Sequence, residues 1–156
     1  MALIIRTAHP DELAKLRDIY RRSSLSNERD RQVLLDNPEY LVLPAAPVVE
    51  GRTRVAERTD GDIVGFATVE RSATAAELID LFVDPGSMRQ GVARALIDDA
   101  VAELVGYAIV DLQVTANNHA LAFYLAVGFE ILDTTTTPLG SGVRMRLKCD
   151  ATGHET

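Results

Sequence analysis

Residues 80–94, Asp80-Leu-Phe-Val-Asp-Pro-Gly-Ser-Met-Arg-Gln-Gly-Val-Ala-Arg94, have the types and spacing to bind an anion. An apolar segment is followed by a Pro-Gly break and then by the start of a helix, whose first N–H groups have no partner within the helix. Gly91 and Ala93 carry little bulk, so a pyrophosphate could approach the main chain closely. Arg89 and Arg94 add positive charge beside it. The same residues could also form an ordinary connection between a strand and a helix.

A second set of polar and aromatic residues follows the next apolar segment of the chain. Asn117 could bond main-chain groups where a strand ends, or it could contact a ligand. Phe123 and Tyr124 lie on a short predicted helix. The Tyr124 hydroxyl could therefore face the same crevice as the first segment, or bond to the backbone as in a partly buried tyrosine. Gly128 is suited to end that helix, and we expect Phe129 to pack in the core.

The best candidate for a general base is Asp80. Burying an acid within an apolar strand is costly, which favours a chemical role over packing. A carboxylate there could accept a proton, directly or through a chain of water molecules. The alternative is a strand-end residue paired with an arginine. Glu77 is the second candidate, unless it is simply exposed.

Composition and charge argue against several classes of function. The chain has 156 residues, of which 47% are hydrophobic, and this fits one folded domain. A net charge of −7 argues against a nucleic-acid partner. No apolar run approaches the roughly 20 residues that cross a bilayer, so we expect no membrane partner. Cys149 is the single cysteine and the histidines are scattered, which predicts no disulfide, no metal site and a reducing, cytoplasmic location.

Hydrophobic periodicity and turn residues predict the order β-α-α-β-β-β-α-β-α-β-β. Asp11 is the expected N-cap of the first helix, and the Asp60-Gly61 step predicts a hairpin. The stretch Tyr40–Gly51 carries no clear pattern. The predicted strands are Leu3–Thr7, Arg52–Arg58, Ile63–Val69, Glu77–Val83, Ala108–Val114, Glu130–Thr134 and Val143–Lys148. The predicted helices are one that is capped by Asp11 and runs to about Ser23, followed by Asn27–Leu35, Val92–Val105 and Ala120–Val127.

Two motifs, separated by one helix and one strand, resemble those of the GCN5-related N-acetyltransferases, the GNAT family. They are Val83-Asp-Pro-x-x-Met-Arg-Gln-Gly-Val-Ala and Asn117-x-x-Ala-x-x-Phe-Tyr-x-x-x-Gly-Phe. The resemblance implies an α/β (α+β) fold with a mixed, mostly antiparallel central sheet of about seven strands and helices on both faces. It implies a single acetyltransferase domain over residues 1–150. Residues 151–156 are expected to form a flexible tail, because chain ends are commonly poorly ordered.

Residue by residue, the resemblance also implies how the site would work. Main-chain groups of Leu81, Phe82 and Val83 would bond the pantetheine arm of coenzyme A, as if this arm were a strand added to the sheet. Tyr124 would be the general acid that protonates the departing thiolate. Met88 stands where the family usually has Arg or Gln, and Arg89 could supply the charge instead. The implied cofactor-binding residues are Leu81, Phe82, Val83, Arg89, Gln90, Gly91, Val92, Ala93, Arg94, Asn117 and Phe123.

The expected reaction is transfer of an acetyl group from acetyl-CoA to a primary amine, by direct attack and without a metal. A small or amino-acid-like acceptor is the first hypothesis. A protein N-terminus or lysine is the second, and a non-catalytic acyl-CoA-binding module is the third. A homodimer is a further possibility.

Overall fold

The computed structural model describes residues 2–149, so the predicted tail at residues 151–156 lies outside the described residues. All the predicted strands and helices are present, and 3-10 turns and one short helix are added. The strands are β1 (Leu3–Thr7), β2 (Thr53–Arg58), β3 (Ile63–Arg71), β4 (Ala76–Val83), β5 (Asp111–Asn117), β6 (Glu130–Thr137) and β7 (Gly140–Lys148). The helices are α1 (Leu13–Leu25), α2 (Glu28–Asp36), α3 (Ala46–Val49), α4 (Val92–Gly106) and α5 (Leu121–Val127).

The strands form one seven-stranded sheet in the order β1-β2-β3-β4-β5-β7-β6. The pairs β1–β2, β2–β3, β5–β7 and β6–β7 are antiparallel, whereas β4 and β5 are parallel. A parallel pair needs a crossover connection, and α4 supplies it between β4 and β5. The prediction of a mixed, mostly antiparallel sheet of about seven strands is confirmed.

The chain divides into two compact units. The first unit comprises the described residues up to Thr68 together with Asp80–Ile97, and the second comprises Val69–Ile79 together with the described residues from Asp98 onward.

One apolar cluster holds the first unit together. Leu16 and Ile19 of α1 are fully buried with Val55 of β2 and Phe66 of β3, because helical spacing in α1 places its apolar residues on one face. Burial of side chains of this size contributes about 1.5–3 kcal/mol each. The remaining buried members are Ala8, Leu43, Val48 and Ile63, with Leu13, Tyr20 and Phe82 packed against them.

The stretch that carried no clear pattern packs against α1. Leu43 and Val48 are buried in the cluster of the first unit. The Arg17 Nε donates a hydrogen bond to the Leu43 carbonyl at 3.1 Å, and the Tyr20 hydroxyl donates to the Tyr40 carbonyl at 2.8 Å. These contacts depend on side chains about twenty residues away, which explains why local periodicity did not show them.

The predicted cap of the first helix is wrong, and its predicted start is one residue early. Pro10–Glu12 form a 3-10 turn, and α1 begins at Leu13. The Glu12 carboxylate accepts a hydrogen bond from the His9 N–H at 2.8 Å and forms an ion pair with Arg6 at 2.6 Å. Glu12 therefore fixes the turn in the way a capping-box residue does, and Asp11 is not the cap.

The predicted position of β5 is wrong by three residues at its start. After α4 ends, Ala108 adopts a left-handed conformation with φ of 59°, and the Ile109 N–H bonds back to the Leu104 carbonyl at 3.2 Å. These residues are needed to leave the helix, so the strand begins at Asp111. As a result, Asn117 is the last residue of β5.

Gly65 of β3 lies where no side chain fits. A Cβ at Gly65 would lie 2.9 Å from Val92 Cγ1 and 3.0 Å from the Phe82 carbonyl oxygen. We expect Gly65→Ala to lower the free energy of unfolding by about 1–3 kcal/mol, because the backbone at Phe82 must move. Gly106→Ala at the end of α4 is the control, since a Cβ there meets nothing within 4 Å. Chemical denaturation measures both, and an equal effect of the two changes would contradict the expectation.

Among the described helices, none is both long and apolar enough to cross a bilayer.

Candidate functional site

Residues 84–91, called here the β4–α4 loop, connect the end of β4 to the start of α4 within the first unit. The Asp84 N–H donates to the Val64 carbonyl at 2.8 Å, which ties the loop to β3. The Asp84 carboxylate accepts from the Gly86 N–H at 2.9 Å and caps the 3-10 turn Pro85–Ser87. The Pro-Gly break seen in the sequence is therefore an ordered turn.

The second half of the β4–α4 loop has the backbone expected of an anion cradle. Arg89 and Gly91 are left-handed, with φ of 63° and 81°. Because Arg89 is not glycine, this conformation costs about 1–2 kcal/mol and needs support from its surroundings. A Cβ at Gly91 would meet nothing within 4 Å, so the space over the main chain is open. The next three residues, Val92, Ala93 and Arg94, are the first of α4, and their N–H groups have no partner within the helix.

Arg22 of α1 anchors the first residue of the β4–α4 loop. Its guanidinium donates two hydrogen bonds to the Asp84 carboxylate, at 2.7 Å and 3.1 Å, and also pairs with Asp18. The hydrogen bond from Arg22 lowers the pKa of Asp84 from 3.8 to about 2. Asp84 is thus ionised at neutral pH and is balanced by a positive charge.

Arg22→Gln is expected to lower the free energy of unfolding at pH 7 by about 1 kcal/mol, since the pair is partly exposed. Because the folded-state pKa of Asp84 is depressed to about 2, the contribution is fully present above pH 3.8 and is lost as the pH falls through 2. Urea unfolding at pH 7 and pH 3 should show a smaller difference from wild type at pH 3. Arg21→Gln, an exposed neighbour, is the control. A difference that does not change with pH would contradict this explanation.

Arg58, the last residue of β2, anchors the middle of the β4–α4 loop. Its Nη2 donates to the Ser87 hydroxyl at 2.7 Å and to Gln90 Oε1 at 2.5 Å. Ser87 is buried, and its hydroxyl therefore gains a partner inside the protein. Sequence analysis missed Arg58 because it lies 29 and 32 residues from these partners. Neither motif contains it.

The C-terminal half of β4 carries four of the predicted site residues. Val83 is buried, whereas Asp80, Leu81 and Phe82 are half-buried. The Phe82 ring packs edge-on against Tyr20 at 4.8 Å between centroids, and lies 5.7 Å from the Phe66 ring. The described ladder with β5 uses Ala76 and Glu77, so residues 81–83 lie beyond it.

Asp80 lies close enough to Tyr20 to affect its ionisation. Burial, with a smaller contribution from the Asp80 carboxylate, raises the pKa of Tyr20. Glu77, the second candidate for the base, is exposed. Of the two acids, Asp80 therefore has the more enclosed position.

The other predicted residues belong to the second unit. Asn117 Oδ1 accepts a hydrogen bond from the Ala120 N–H at 3.1 Å, so Asn117 bonds free main-chain groups where β5 ends, as one of its two predicted roles required. Phe123 and Tyr124 lie on α5, and Gly128 ends this helix with φ of 119°. The prediction of a glycine C-cap is confirmed.

Tyr124 lies in an aromatic cluster. Its ring contacts Phe123 and Phe129 edge-on, with centroids 5.3 Å and 5.1 Å apart, and Phe129 is buried as predicted. Burial raises the pKa of Tyr124 to about 12, because the charged phenolate is disfavoured in an apolar site. Within the described part of the chain, its hydroxyl has no hydrogen-bond partner, so the backbone-bonded alternative is not observed.

Residues 2–149 contain no cluster of three or more His, Cys, Asp or Glu side chains that could hold a metal ion. What this geometry offers is an anion cradle in the first unit and a protonated phenol in the second.

Comparison with known protein families identifies the domain. Residues 48–149, from α3 to the end of the described chain, match the model of the acetyltransferase (GNAT) domain. The chain belongs to the GNAT family. The match includes the β4–α4 loop and both predicted motifs, so the family resemblance is confirmed.

Relatives of this GNAT chain include an enzyme that acts on a protein. The ribosomal protein bS18 alanine N-acetyltransferase of Escherichia coli K12 is 37% identical over 73 residues. The match covers 45% of this chain and 49% of the relative, so the chain spans about half the length of the curated relatives it matches.

Solved structures share the fold of this GNAT chain. The PaiA N-acetyltransferase of Thermoplasma acidophilum, in complex with coenzyme A, superposes with a TM-score of 0.78 at 20% identity, covering 95% of this chain and 99% of that one. The ribosomal-protein-S18-alanine N-acetyltransferase of Escherichia coli superposes with a TM-score of 0.72 at 20% identity, covering 99% of both chains. At this identity the likeness establishes the fold.

Proposed function

We propose that this GNAT protein is an acetyl-CoA-dependent N-acetyltransferase whose acceptor is a primary amine. The observation that carries the proposal is the β4–α4 loop, whose open backbone at Gly91 leads into unpaired N–H groups of α4. Such groups favour phosphate, and coenzyme A carries a pyrophosphate. The PaiA structure, which has the same fold, is a complex with coenzyme A.

The residues of the first unit fit this ligand. The open space at Gly91 is where a Cβ would otherwise stand, so a phosphate can reach the main chain. Residues from Arg89 to Arg94 would hold the pyrophosphate with N–H groups and with the charge of the two exposed arginines. Leu81, Phe82 and Val83 would bond the pantetheine arm through main-chain groups. In the second unit, Asn117 and Phe123 are the proposed cofactor contacts.

Acetyl-CoA supplies a thioester, whose acetyl group a neutral amine can attack. An alkyl amine has a pKa of about 10.4, so a proton must be removed before attack at neutral pH. Asp80 is the proposed acceptor of this proton, directly or through water, because it is half-buried and its charge is felt by Tyr20. Glu77 is the alternative, and its exposure makes it the weaker base candidate.

Tyr124 is the proposed general acid for the departing thiolate. A thiol has a pKa of about 8.5, and burial raises the pKa of Tyr124 to about 12, so Tyr124 is protonated at neutral pH. Its hydroxyl makes no hydrogen bond to another described residue that would have to break first. A protonated hydroxyl free of other hydrogen bonds can donate to the sulfur, and because its raised pKa makes it a weaker acid than a thiol, we expect its contribution to the rate to be modest.

For the acceptor, we propose a small or amino-acid-like primary amine. A protein N-terminus is the second candidate, because the bS18 alanine N-acetyltransferase matches 73 residues of this chain at 37% identity. A panel that compares spermidine and free amino acids with an alanine-initiated basic peptide separates the two. Release of free thiol from acetyl-CoA measures turnover for each.

Isothermal titration with coenzyme A and acetyl-CoA tests the proposal before any acceptor is known. Binding in the micromolar range is the expected result, and a folded protein that binds neither compound would contradict the proposed function. Binding without turnover on any amine would instead indicate an acyl-CoA-binding module.

We further propose that residues 1–150 act as a single acetyltransferase domain and that the protein is cytoplasmic. A chain with one cysteine, Cys149, forms no disulfide within itself, which is typical of a reducing compartment. The homodimer stays a prediction.

A further inference from the structure

Two arginines, Arg22 and Arg58, anchor the β4–α4 loop, and they differ in whether a carboxylate pairs with them. Arg22 pairs with the carboxylates of Asp84 and Asp18. Arg58 donates only to neutral oxygens, those of Ser87 and Gln90, and no carboxylate of the described chain pairs with it. Its positive charge therefore has no carboxylate partner among the described residues.

The Arg58 guanidinium also has unused hydrogen-bonding capacity. Its Nε is buried and has no partner among the described residues, while both of its side-chain bonds come from Nη2. A buried donor of a cationic group without a partner is costly. An anion bound nearby would favour the charge of this guanidinium.

The two contacts of Arg58 flank the strained part of the β4–α4 loop. Ser87 and Gln90 lie on either side of Met88 and Arg89, and Arg89 has the left-handed φ of 63°. A non-glycine residue keeps this conformation only when its neighbours are held. The bonds from Arg58 hold Ser87 and Gln90, the two residues that bracket Met88 and Arg89.

We propose that Arg58 is a positioning residue for the phosphates of the cofactor. It holds the β4–α4 loop in its anion-receiving shape through Ser87 and Gln90, and its unneutralised charge favours the bound pyrophosphate. This inference rests on the proposed function, since it assumes a phosphate-bearing ligand.

The test uses the full chain as wild type and as Arg58→Gln, titrated with coenzyme A at several salt concentrations. The dissociation constant of the variant should rise about tenfold or more, because hydrogen bonds and charge are lost together. The salt dependence of its binding should also be weaker, since one positive charge fewer acts on the phosphates. Arg58→Lys keeps the charge and should recover part of both properties.

A matched control lies on the same strand. Arg54→Gln removes the same charge from β2, and Arg54 donates from Nη1 to the Thr7 hydroxyl of β1 at 3.1 Å. Its affinity for coenzyme A should equal that of wild type. If Arg54→Gln weakens binding as much as Arg58→Gln does, the effect is one of overall charge and the proposal is overturned.

Hydrogen exchange of residues 84–91 in the ligand-free protein gives a second readout. Arg58→Gln should accelerate exchange in this loop, and Ser87→Ala, which removes one acceptor and keeps the charge, should do so to a smaller degree. Wild-type affinity in Arg58→Gln overturns the proposal, whether or not the loop exchanges faster. If wild type itself binds no coenzyme A, the proposed function fails, and the exchange data still show whether Arg58 orders the loop.

Discussion

Replacement of Gly91 by valine is expected to weaken the binding of coenzyme A by about 100-fold or more. Two effects act in the same direction. Gly91 has φ of 81°, where a β-branched residue is strained by at least about 1–2 kcal/mol, so the loop would change its conformation. The valine side chain would also occupy the open space through which a phosphate reaches the main chain. Isothermal titration with coenzyme A measures the loss.

The control for Gly91→Val is Gly51→Val, at the turn before β2. Gly51 has φ of 76°, and a Cβ there also meets nothing within 4 Å. The strain of the two substitutions is therefore similar, and thermal unfolding should show similar losses of stability. Only the change at Gly91 should affect coenzyme A. If both variants lose affinity for coenzyme A equally, the loss reflects reduced stability, and the proposal that phosphate binds at Gly91 is disproved.

Tyr124→Phe is expected to lower kcat by about tenfold or more, at the lower end of general-acid effects. Thiolates leave readily, so the acid assists the step without being indispensable. The dissociation constant for acetyl-CoA should change little, because the phenyl ring keeps the contacts with Phe123 and Phe129. Steady-state kinetics with the best acceptor of the panel gives the comparison.

The stability of Tyr124→Phe should equal that of wild type, because the hydroxyl has no hydrogen-bond partner within the described residues. A loss of activity could then not be attributed to unfolding. Tyr107→Phe is the control, since Tyr107 is exposed and stacks beneath Arg71 at 3.7 Å. Full activity in Tyr124→Phe would exclude Tyr124 as the proton donor.

The pattern of residues along the chain was sufficient to predict the structural features that depend on residues close together in the sequence. The alternation and turn residues of β1 and of the β2–β3 hairpin, and the periodicity of α4, led to nearly correct boundaries. The Pro-Gly break and the glycine at position 91 pointed to the anion cradle, because backbone conformation at such residues is a local property. The two motifs were also sufficient for the family.

The local sequence pattern gave a wrong boundary where residues predicted to belong to a strand form the turn before it. The exit from α4 uses Ala108 in a left-handed conformation, which is uncommon for alanine, and this moved the start of β5 to Asp111. The stretch from Tyr40 to Gly51 showed no pattern, since its order comes from packing against α1.

Only the tertiary structure decided which charges meet the β4–α4 loop. Arg22 contacts Asp84 across 62 positions of the sequence, and Arg58 contacts Gln90 across 32. Arg21 and Arg22 look alike in the sequence, yet Arg22 is the one that holds the loop. Such pairs are fixed by how β2, β4 and α1 pack around the buried cluster of the first unit. The hydrophobic effect that drives this packing is non-directional, so the sequence pattern does not show which arginine will lie beside which oxygen.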